Sequence, residues 1–180
     1  MKVLETPLPG ALVLEPRVFE DERGFFLESY NERVFVELGI REKFVQDNHS
    51  FSKRGVLRGL HYQVNEPQAK LVRVVSGRVL DVFVDLRKSS TGFRRWHGIE
   101  LSDENRRLAW IPAGFAHGFY VRSEGAHVLY KSTAFYDAQL ERTILWNDPD
   151  LDIAWGNTSP PLLSEKDERA VRLRDAEVFE

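Results

Sequence analysis

A histidine in the first half of the chain is surrounded by residues whose side chains could together carry out chemistry. His61 follows Gly59 in a stretch of glycine and apolar residues, Arg58 lies just before it, and Lys70 follows in the next segment. An imidazole with a pKa of about 6.5 suits proton transfer near neutral pH, and a guanidinium binds anionic oxygens in pairs. A lone histidine in a β protein is more often a buried residue bonded to the backbone, so the interpretation as a catalytic site depends on further groups.

A second histidine supplies such a group. The pattern Pro-Ala-Gly-Phe-Ala-His at residues 112–117 resembles the second motif of the cupin superfamily, and Gly-Leu-His at residues 59–61 resembles a degenerate first motif. In cupins, which are jelly-roll β-barrels, the two motif histidines face one interior cavity. The resemblance therefore implies that His61 and His117 share a site.

Many cupins bind a metal through three histidines and a carboxylate, and this chain departs from that pattern. Gln63 stands where the second histidine of the first motif would be, and Glu66 is followed by Pro67 in a segment typical of a loop. Two histidines do not complete the ligand shell of a transition metal. We therefore expect no metal, which leaves His61 free to act as an acid or a base.

The elements that must position these residues are mostly short strands. Predicted strands cover residues 71–75, 79–86, 98–101, 107–111, 118–121 and 127–133, with glycine, serine and proline turns between them. Asn31 is expected to begin a short helix that ends near Leu38, and Ser164 to begin another near the C-terminus. Together with the cupin resemblance, the pattern predicts a mainly β fold, a jelly-roll antiparallel β-barrel or sandwich with a few short peripheral helices.

Composition limits the classes of protein. The 180 residues carry a formal net charge of -3 and no cysteine, which argues against a general nucleic-acid binder and excludes disulfides and thiolate chemistry. No apolar run approaches the roughly 18 residues of a membrane-spanning helix, and the N-terminus lacks a secretory signal. We expect a single domain over residues 1–180, located in the cytoplasm, with no nucleic-acid or membrane partner.

A closer resemblance covers residues from about 5 to about 170. The motifs that carry it are Arg23-Gly24-Phe25-Phe26-x-Glu28, Gln46-Asp47-Asn48-His49-Ser50, Val56-Leu57-Arg58-Gly59-Leu60-His61, Lys70-Leu71-Val72-Arg73, Ile111-Pro112-x-Gly114-Phe115-Ala116-His117-Gly118-Phe119, Leu129-Tyr130-Lys131, Ile144-Leu145-Trp146-Asn147-Asp148 and Leu163-Ser164-x-Lys166-Asp167. In this order they resemble the dTDP-4-dehydrorhamnose 3,5-epimerases of deoxysugar biosynthesis.

The family resemblance implies a reaction without a cofactor. Both C3 and C5 of a dTDP-linked 4-keto-6-deoxyhexose lie next to the ketone, so removal of either hydrogen gives an enolate, and return of a proton on the opposite face inverts the carbon. Such a reaction needs a base, an acid across from it and a positive charge near the ketone oxygen. The expected product is dTDP-4-dehydro-L-rhamnose, a precursor for cell-envelope polysaccharides.

Four residues are carried over as catalytic groups. His61 resembles the base and Tyr130 the acid of the opposite face, although a tyrosine in an apolar run is more often a core residue. Lys70 resembles the enolate-stabilising group at the mouth of a cavity, the alternative being an exposed loop lysine. Asp167 resembles the partner of His61, but Ser164 to Asp167 also fits a helix capping box, in which Asp167 would only be a cap.

A second set of carried-over residues, which again includes Lys70, is expected to bind the substrate. The family also implies a homodimer in which the N-terminal segment of one chain reaches the partner's site. Guanidiniums suit the pyrophosphate, a carboxylate can accept from the thymine N–H, and an aromatic ring can stack on the base. The predicted binding residues are Arg23, Glu28, Gln46, Asp47, Asn48, Arg58, Lys70, His117, Tyr136, Glu141 and Lys166.

Three other interpretations remain open. One is an epimerase that inverts only C3 or only C5. The second is a cupin binding module without catalysis, which would not require His61, Tyr130 and Lys70 together. The third is a metal-dependent cupin enzyme, which Gln63 disfavours. Asp81 also stays ambiguous, since it could be a solvent-facing acid or an inward residue near Lys70 or His61.

Overall fold

A computed structural model describes residues 1–180, and it is built almost entirely of antiparallel strands. The strands are β1 Lys2–Glu5, β2 Leu12–Glu15, β3 Val18–Asp21, β4 Gly24–Leu27, β5 Gln46–Lys53, β6 Leu57–Gln63, β7 Lys70–Ser76, β8 Arg78–Asp85, β9 Trp96–Ser102, β10 Leu108–Ile111, β11 Phe115–Val121, β12 Gly125–Ser132 and β13 Glu141–Thr143. The helices are α1 Glu32–Glu37 and α2 Glu165–Glu168, with a 3₁₀ turn at Leu173–Asp175.

Two sheets face each other across the main core. One has six strands in the order β1-β2-β10-β7-β12-β5, and the other has five in the order β13-β6-β11-β8-β9. The core cluster between them takes side chains from both sheets, for example Val72 and Val128 from the first and Phe83 and Phe119 from the second. The predicted jelly-roll sandwich is thus confirmed.

Alternate residues of strand β8 face opposite sides of the five-stranded sheet. Val79 and Phe83 belong to the cluster between the sheets, whereas Leu80 and Val82 belong to a second cluster on the opposite face. Both faces are apolar because the chain after β13, including Trp155, covers the outer face of the five-stranded sheet. A strand that is buried on both sides leaves no solvent-facing position.

The two helices begin at the predicted caps and lie outside the sheets. The side chain of Asn31 accepts a hydrogen bond from the N–H of Arg33 at the start of α1. Phe35 of α1 packs with Leu71 and Trp110 on the outer face of the six-stranded sheet. Ser164 caps α2 by accepting from the N–H of Asp167. No helix in the structure is both long and apolar enough to cross a membrane.

The hairpin of β3 and β4 forms a separate two-stranded sheet with an apolar exposed surface. Phe25 and Phe26 are 57% and 69% exposed. The guanidinium of Arg106 lies 4.0 Å from the centroid of the Phe25 ring and pairs with Glu20 at 2.5 Å, which joins the hairpin to the body of the protein. The hairpin therefore leaves two phenylalanine rings in contact with solvent.

Candidate active site

One pocket at the inner faces of the two sheets collects most of the predicted residues. Its floor is formed where β6 and β11 pair, with His61 directly opposite His117 in the strand register. The residues that line it are Gln46, Asn48, Ser50, Arg58, His61, Gln68, Lys70, His117, Gly118, Phe119, Tyr130, Tyr136, Glu141 and Lys166. The implied sharing of one cavity by the two motif histidines is therefore observed.

Two glycines allow β6 and β11 to approach closely beside these histidines. A Cβ placed on Gly59, whose φ is +132°, would lie 2.5 Å from the Cα of Gly118 and 2.9 Å from the carbonyl oxygen of His117. A Cβ on Gly118 would lie 2.6 Å from the carbonyl oxygen of Arg58. Gly59 and Gly118 are needed here because only hydrogen fits between the two backbones.

His61 forms a hydrogen-bonded pair with Asp167. The distance from Nε2 of His61 to Oδ1 of Asp167 is 2.5 Å. Burial, the largest effect, lowers the pKa of His61 and outweighs the opposing effect of the carboxylate. Burial alone would raise the pKa of Asp167, but the hydrogen bonds from His61 and Ser164 and the charge of Lys166 hold it below its usual value. A neutral imidazole that donates from Nε2 leaves Nδ1 as the nitrogen able to accept a proton.

Asp167 fulfils both roles that the sequence left open, that of a helix cap residue and that of the partner of His61. Its N–H donates to Oγ of Ser164 at 3.3 Å, as in a helix cap, and the Ser164 hydroxyl donates back to Oδ2 at 2.7 Å. Its other oxygen contacts His61. The short helix α2 therefore orients the carboxylate that contacts the imidazole, and the two interpretations are compatible.

Lys70 is more deeply buried than a residue at a cavity mouth. It is the first residue of β7 and is 8% exposed, which contradicts the alternative of an exposed loop lysine. Burial lowers the pKa of Lys70 to about 8, against the smaller opposing effects of Glu141 and Asp81. Its Nζ lies 5.8 Å from the centroid of the Tyr130 ring. The pocket thus holds an ammonium group that titrates close to neutral pH.

Tyr130 enters the same pocket from the other sheet. It lies on β12, opposite Val72 of β7, whereas His61 lies on β6 of the facing sheet. Burial, assisted by the charge of Glu141, raises the pKa of Tyr130 above its usual value. A phenol of this kind stays protonated and can donate.

His117 has its own carboxylate partner. Its Nε2 lies 2.7 Å from Oδ2 of Asp81, and Asp81 is fully buried. Asp81 is therefore the inward residue and not the solvent-facing acid among the two alternatives. The other oxygen of Asp81 has no hydrogen-bond partner. Because the carboxylate accepts from one nitrogen, it fixes the orientation of the His117 ring at the pocket wall.

Several of the predicted binding residues are joined to each other. The Nε of Arg58 donates to Oγ of Ser52 at 2.9 Å and its Nη2 to the carbonyl oxygen of Phe51 at 3.5 Å, which orients the guanidinium at the pocket. The hydroxyl of Tyr136 donates to Glu141 at 3.0 Å, and the ammonium of Lys166 contacts the other Glu141 oxygen at 2.7 Å. Cations and an exposed aromatic ring therefore surround the opening.

Three predicted binding residues are not brought to this pocket within one chain. Arg23 lies on the exposed hairpin and pairs with Asp21, with 85% of its side chain exposed. Glu28 accepts from the side chain of Asn31 at 3.1 Å. Asp47 points to the outer face of β5, where it pairs with Lys131 at 2.9 Å. Strand alternation explains the position of Asp47, because its neighbours Gln46 and Asn48 both line the pocket.

The sequence analysis assigned no role in the site to Ser50, Gln68 or Phe119, all of which line the pocket. Ser50 could have been predicted from the period of two that places Gln46 and Asn48 on the same face. Gln68 lies on the loop before β7, where periodicity carries no information.

The polar atoms of Gln63 bind backbone groups. Its Nε2 donates to the carbonyl oxygens of Glu66 and Phe135, and its Oε1 accepts from the N–H of Asp137. The chain contains no group of three or more His, Cys, Asp or Glu side chains arranged to hold a metal ion.

Known proteins share this sequence and fold along nearly the whole chain. Residues 5–175 match the profile of the dTDP-4-dehydrorhamnose 3,5-epimerase family. The chain is 56% identical over 180 residues to the dTDP-4-dehydrorhamnose 3,5-epimerase of Pseudomonas aeruginosa, with 99% of each protein covered.

Two solved structures of similar proteins have the same fold. The first is dTDP-6-deoxy-D-glucose-3,5-epimerase of Legionella pneumophila in complex with dTDP-4-keto-L-rhamnose, with a TM-score of 0.95, 46% identity and coverage of 98% of this chain and 94% of that one. The second is ChmJ, a 3'-monoepimerase of Streptomyces bikiniensis, in complex with dTDP-quinovose, with a TM-score of 0.88, 34% identity and coverage of 94% and 86%. This chain belongs to the dTDP-4-dehydrorhamnose 3,5-epimerase family.

Proposed function

We propose that this enzyme inverts both C3 and C5 of dTDP-4-dehydro-6-deoxy-D-glucose and so forms dTDP-4-dehydro-L-rhamnose. The observation that carries the proposal is the pairing of His61 with Asp167 in a pocket that also contains Lys70 and Tyr130. Membership of the family and the dTDP-sugar complex of the Legionella relative support the same substrate class.

In this proposal His61 removes the proton. Asp167 accepts from Nε2 of His61, holds the ring in one orientation and stabilises the imidazolium that forms when Nδ1 takes up a proton. The ammonium of Lys70 lies near the ketone oxygen and stabilises the negative charge of the enolate. Its burial strengthens that interaction, because the effective dielectric constant inside the pocket is lower than in water.

Tyr130 returns the proton to the opposite face of the sugar. Its position on the sheet that faces His61 supports this role, and its raised pKa keeps the phenol protonated. After the step, the phenolate of Tyr130 takes up a proton from solvent and the imidazolium of His61 releases one to solvent, which restores both groups. No electrons are transferred in either step, so the chemistry requires only an acid, a base and a positive charge.

The nucleotide is held at the opening of the pocket. Arg58, whose guanidinium is oriented by Ser52 and Phe51, binds the pyrophosphate through its outer edge, and Tyr136 stacks on the thymine ring. Gln46, Asn48 and His117 bind polar groups of the substrate along the pocket wall, and Glu141 and Lys166 act at its opening.

We propose further that two copies form a homodimer and that each hairpin of β3 and β4 reaches the partner's site. The exposure of Phe25 and Phe26 supports this arrangement, as does the position of Arg23 away from the pocket of its own chain. Arg23 and Glu28 then complete the nucleotide site of the partner.

We assign the enzyme to the cytoplasm and to the supply of rhamnose for cell-envelope polysaccharides. The nucleotide-linked substrate supports this assignment. The formal net charge of -3 gives no support to a nucleic-acid partner.

Isotope exchange tests the proposed reaction. Incubation with dTDP-4-keto-6-deoxyglucose in heavy water is expected to place deuterium at both C3 and C5, as read by NMR of the product. His61→Ala should remove exchange at both carbons, because one base serves both. Tyr130→Phe should retain exchange but lose inversion. Absence of any exchange with the wild-type protein would refute the enzymatic function.

A single-position epimerase is the second candidate function. The 34% identity to a 3'-monoepimerase, over 94% of this chain and 86% of that one, supports this candidate. Label at one carbon alone in the same experiment would establish this candidate in place of the double epimerase.

A further inference from the structure

The segment that carries Tyr136 is held in place by side chains rather than by a strand ladder. Residues 134–137 belong to neither a helix nor a strand. The Tyr136 residue is 53% exposed, and its hydroxyl donates to Glu141. Without regular structure, an exposed ring on such a segment would sample many orientations unless its backbone groups were bonded elsewhere.

Three glutamines supply those bonds, and we call Gln46, Gln63 and Gln68 the glutamine cluster. Gln68 donates to the carbonyl oxygen of Ala134 at 2.9 Å. Gln63 donates to the carbonyl oxygen of Phe135 at 3.1 Å and accepts from the N–H of Asp137 at 2.9 Å. Gln46 accepts from the N–H of Tyr136 at 2.9 Å. One backbone group of each of four consecutive residues is therefore satisfied by a glutamine side chain.

Gln63 is the central member of the cluster. It is 3% exposed and also donates to the carbonyl oxygen of Glu66 at 2.7 Å. Its position requires a donor towards two carbonyl oxygens and an acceptor towards an N–H, and among side chains of this size only an amide supplies both. Because Gln63 follows His61 by two residues on β6, it links the Tyr136 segment to the strand that carries the proposed base.

We propose that Gln63 is a positioning residue for nucleotide recognition, which with Gln46 and Gln68 fixes the 134–137 backbone so that the Tyr136 ring is preorganised to stack on the thymine. The inference rests on the proposed function for the identity of the nucleotide. Preorganisation increases affinity because the ordering of the segment is completed before the ligand binds. Loss of Gln63 should therefore weaken binding of the thymine base only when Tyr136 is present. It should have little effect on the affinity for pyrophosphate.

A double-mutant cycle between Gln63 and Tyr136 tests this inference. Gln63→Met retains the length of the side chain and removes its three hydrogen bonds. Calorimetry with dTDP should show a dissociation constant raised about tenfold, the equivalent of one lost base–aromatic stack. In a Tyr136→Ala background the same change should raise it less than about twofold, because the ring to be positioned is absent. The affinity for inorganic pyrophosphate should change less than about twofold in either background.

Asn105→Leu is the matched control for a purely structural loss. Asn105 also makes three side-chain hydrogen bonds to backbone groups, those of Ser102, Arg107 and Glu100, in the turn between β9 and β10. Both variants should lower the melting temperature, but only Gln63→Met should weaken dTDP binding and raise KM while kcat at saturation stays within about twofold. If Gln63→Met fails to fold, Gln68→Met removes a single bond to the same segment and should show a smaller shift of the same kind.

Three results would overturn the inference. These are unchanged dTDP affinity in Gln63→Met, an equal weakening of dTDP and pyrophosphate binding, or the same fold-change with and without Tyr136. Each of them leaves the proposed epimerisation intact, since isotope exchange measures that separately. Failure of the wild-type protein to bind dTDP would instead refute the proposed nucleotide substrate and this inference with it.

Discussion

The two titrating groups of the pocket have opposite requirements. His61 must be neutral to accept a proton, whereas Lys70 must be charged to stabilise an enolate. Burial lowers the pKa of both groups, that of Lys70 to about 8, so their active forms coexist in a window around neutral pH. The tyrosine is outside this window because its pKa is raised.

We therefore expect a bell-shaped pH profile of kcat/KM. The rate should fall towards acid as His61 is protonated, with a midpoint below 6.5, and towards alkali as Lys70 loses its proton, with a midpoint at about 8. Lys70→Gln should reduce kcat and remove the alkaline limb from the remaining activity, because glutamine does not titrate. Steady-state kinetics from about pH 5 to pH 10 measure both limbs. An alkaline limb that persists unchanged in Lys70→Gln would assign it to another group.

At the scale of elements, the pairing of β6 with β11 determines where the histidines lie. Gly59 combines a φ of +132° with backbone contacts that leave no space for a methyl group. Gly39 also has a positive φ, +88°, but nothing lies within 4 Å of its missing Cβ. A comparison of alanine substitutions at these two glycines therefore distinguishes the energetic cost of a positive φ from the cost of steric overlap.

Gly59→Ala should be far more harmful than Gly39→Ala. We expect Gly39→Ala to lower the free energy of unfolding by about 1 kcal/mol, the conformational cost alone. Gly59→Ala should lower it by roughly 3 kcal/mol or more, because β6 must move away from β11, and the activity of the remaining folded protein should fall as His61 is displaced from His117. Urea denaturation followed by fluorescence gives both values. Equal losses in the two variants would show that β6 and β11 can separate without cost.

Prediction from the sequence worked where a local pattern determines the structure. Apolar runs between turns predicted strands where β7 to β12 lie, and the cap residues Asn31 and Ser164 predicted the starts of the helices. It was incomplete where partners lie far apart in the chain. The burial of Lys70 depends on packing between the two sheets, and the bonds of Gln63 cross more than 70 residues to the 134–137 segment. Periodicity carries no information about such contacts.

For the whole molecule, the position of the hairpin of β3 and β4 determines how many chains make one site. Arg23 pairs with Asp21 on its own hairpin, while Arg58, His61 and Lys70 line the pocket of the body. In the proposed dimer each site therefore combines the body of one chain with the hairpin of the other. A closed two-fold arrangement gives two equal sites, each dependent on both chains.

Mixing two defective variants distinguishes a shared site from a site within one chain. Arg23→Ala should lower kcat/KM by about tenfold to a hundredfold through the loss of a charge-assisted contact, and His61→Ala should be inactive. After subunit exchange, half of the dimers pair the two variants. In each of these, one site combines an intact His61 with an intact Arg23 from the partner, so activity at low substrate should recover to about a quarter of the wild-type value. A mixture of His61→Ala with Lys70→Gln is the matched control and should not recover, because both changes lie in the body of the site. Lack of recovery in the first mixture, once exchange is verified by mass spectrometry, would place Arg23 in the site of its own chain or outside any site.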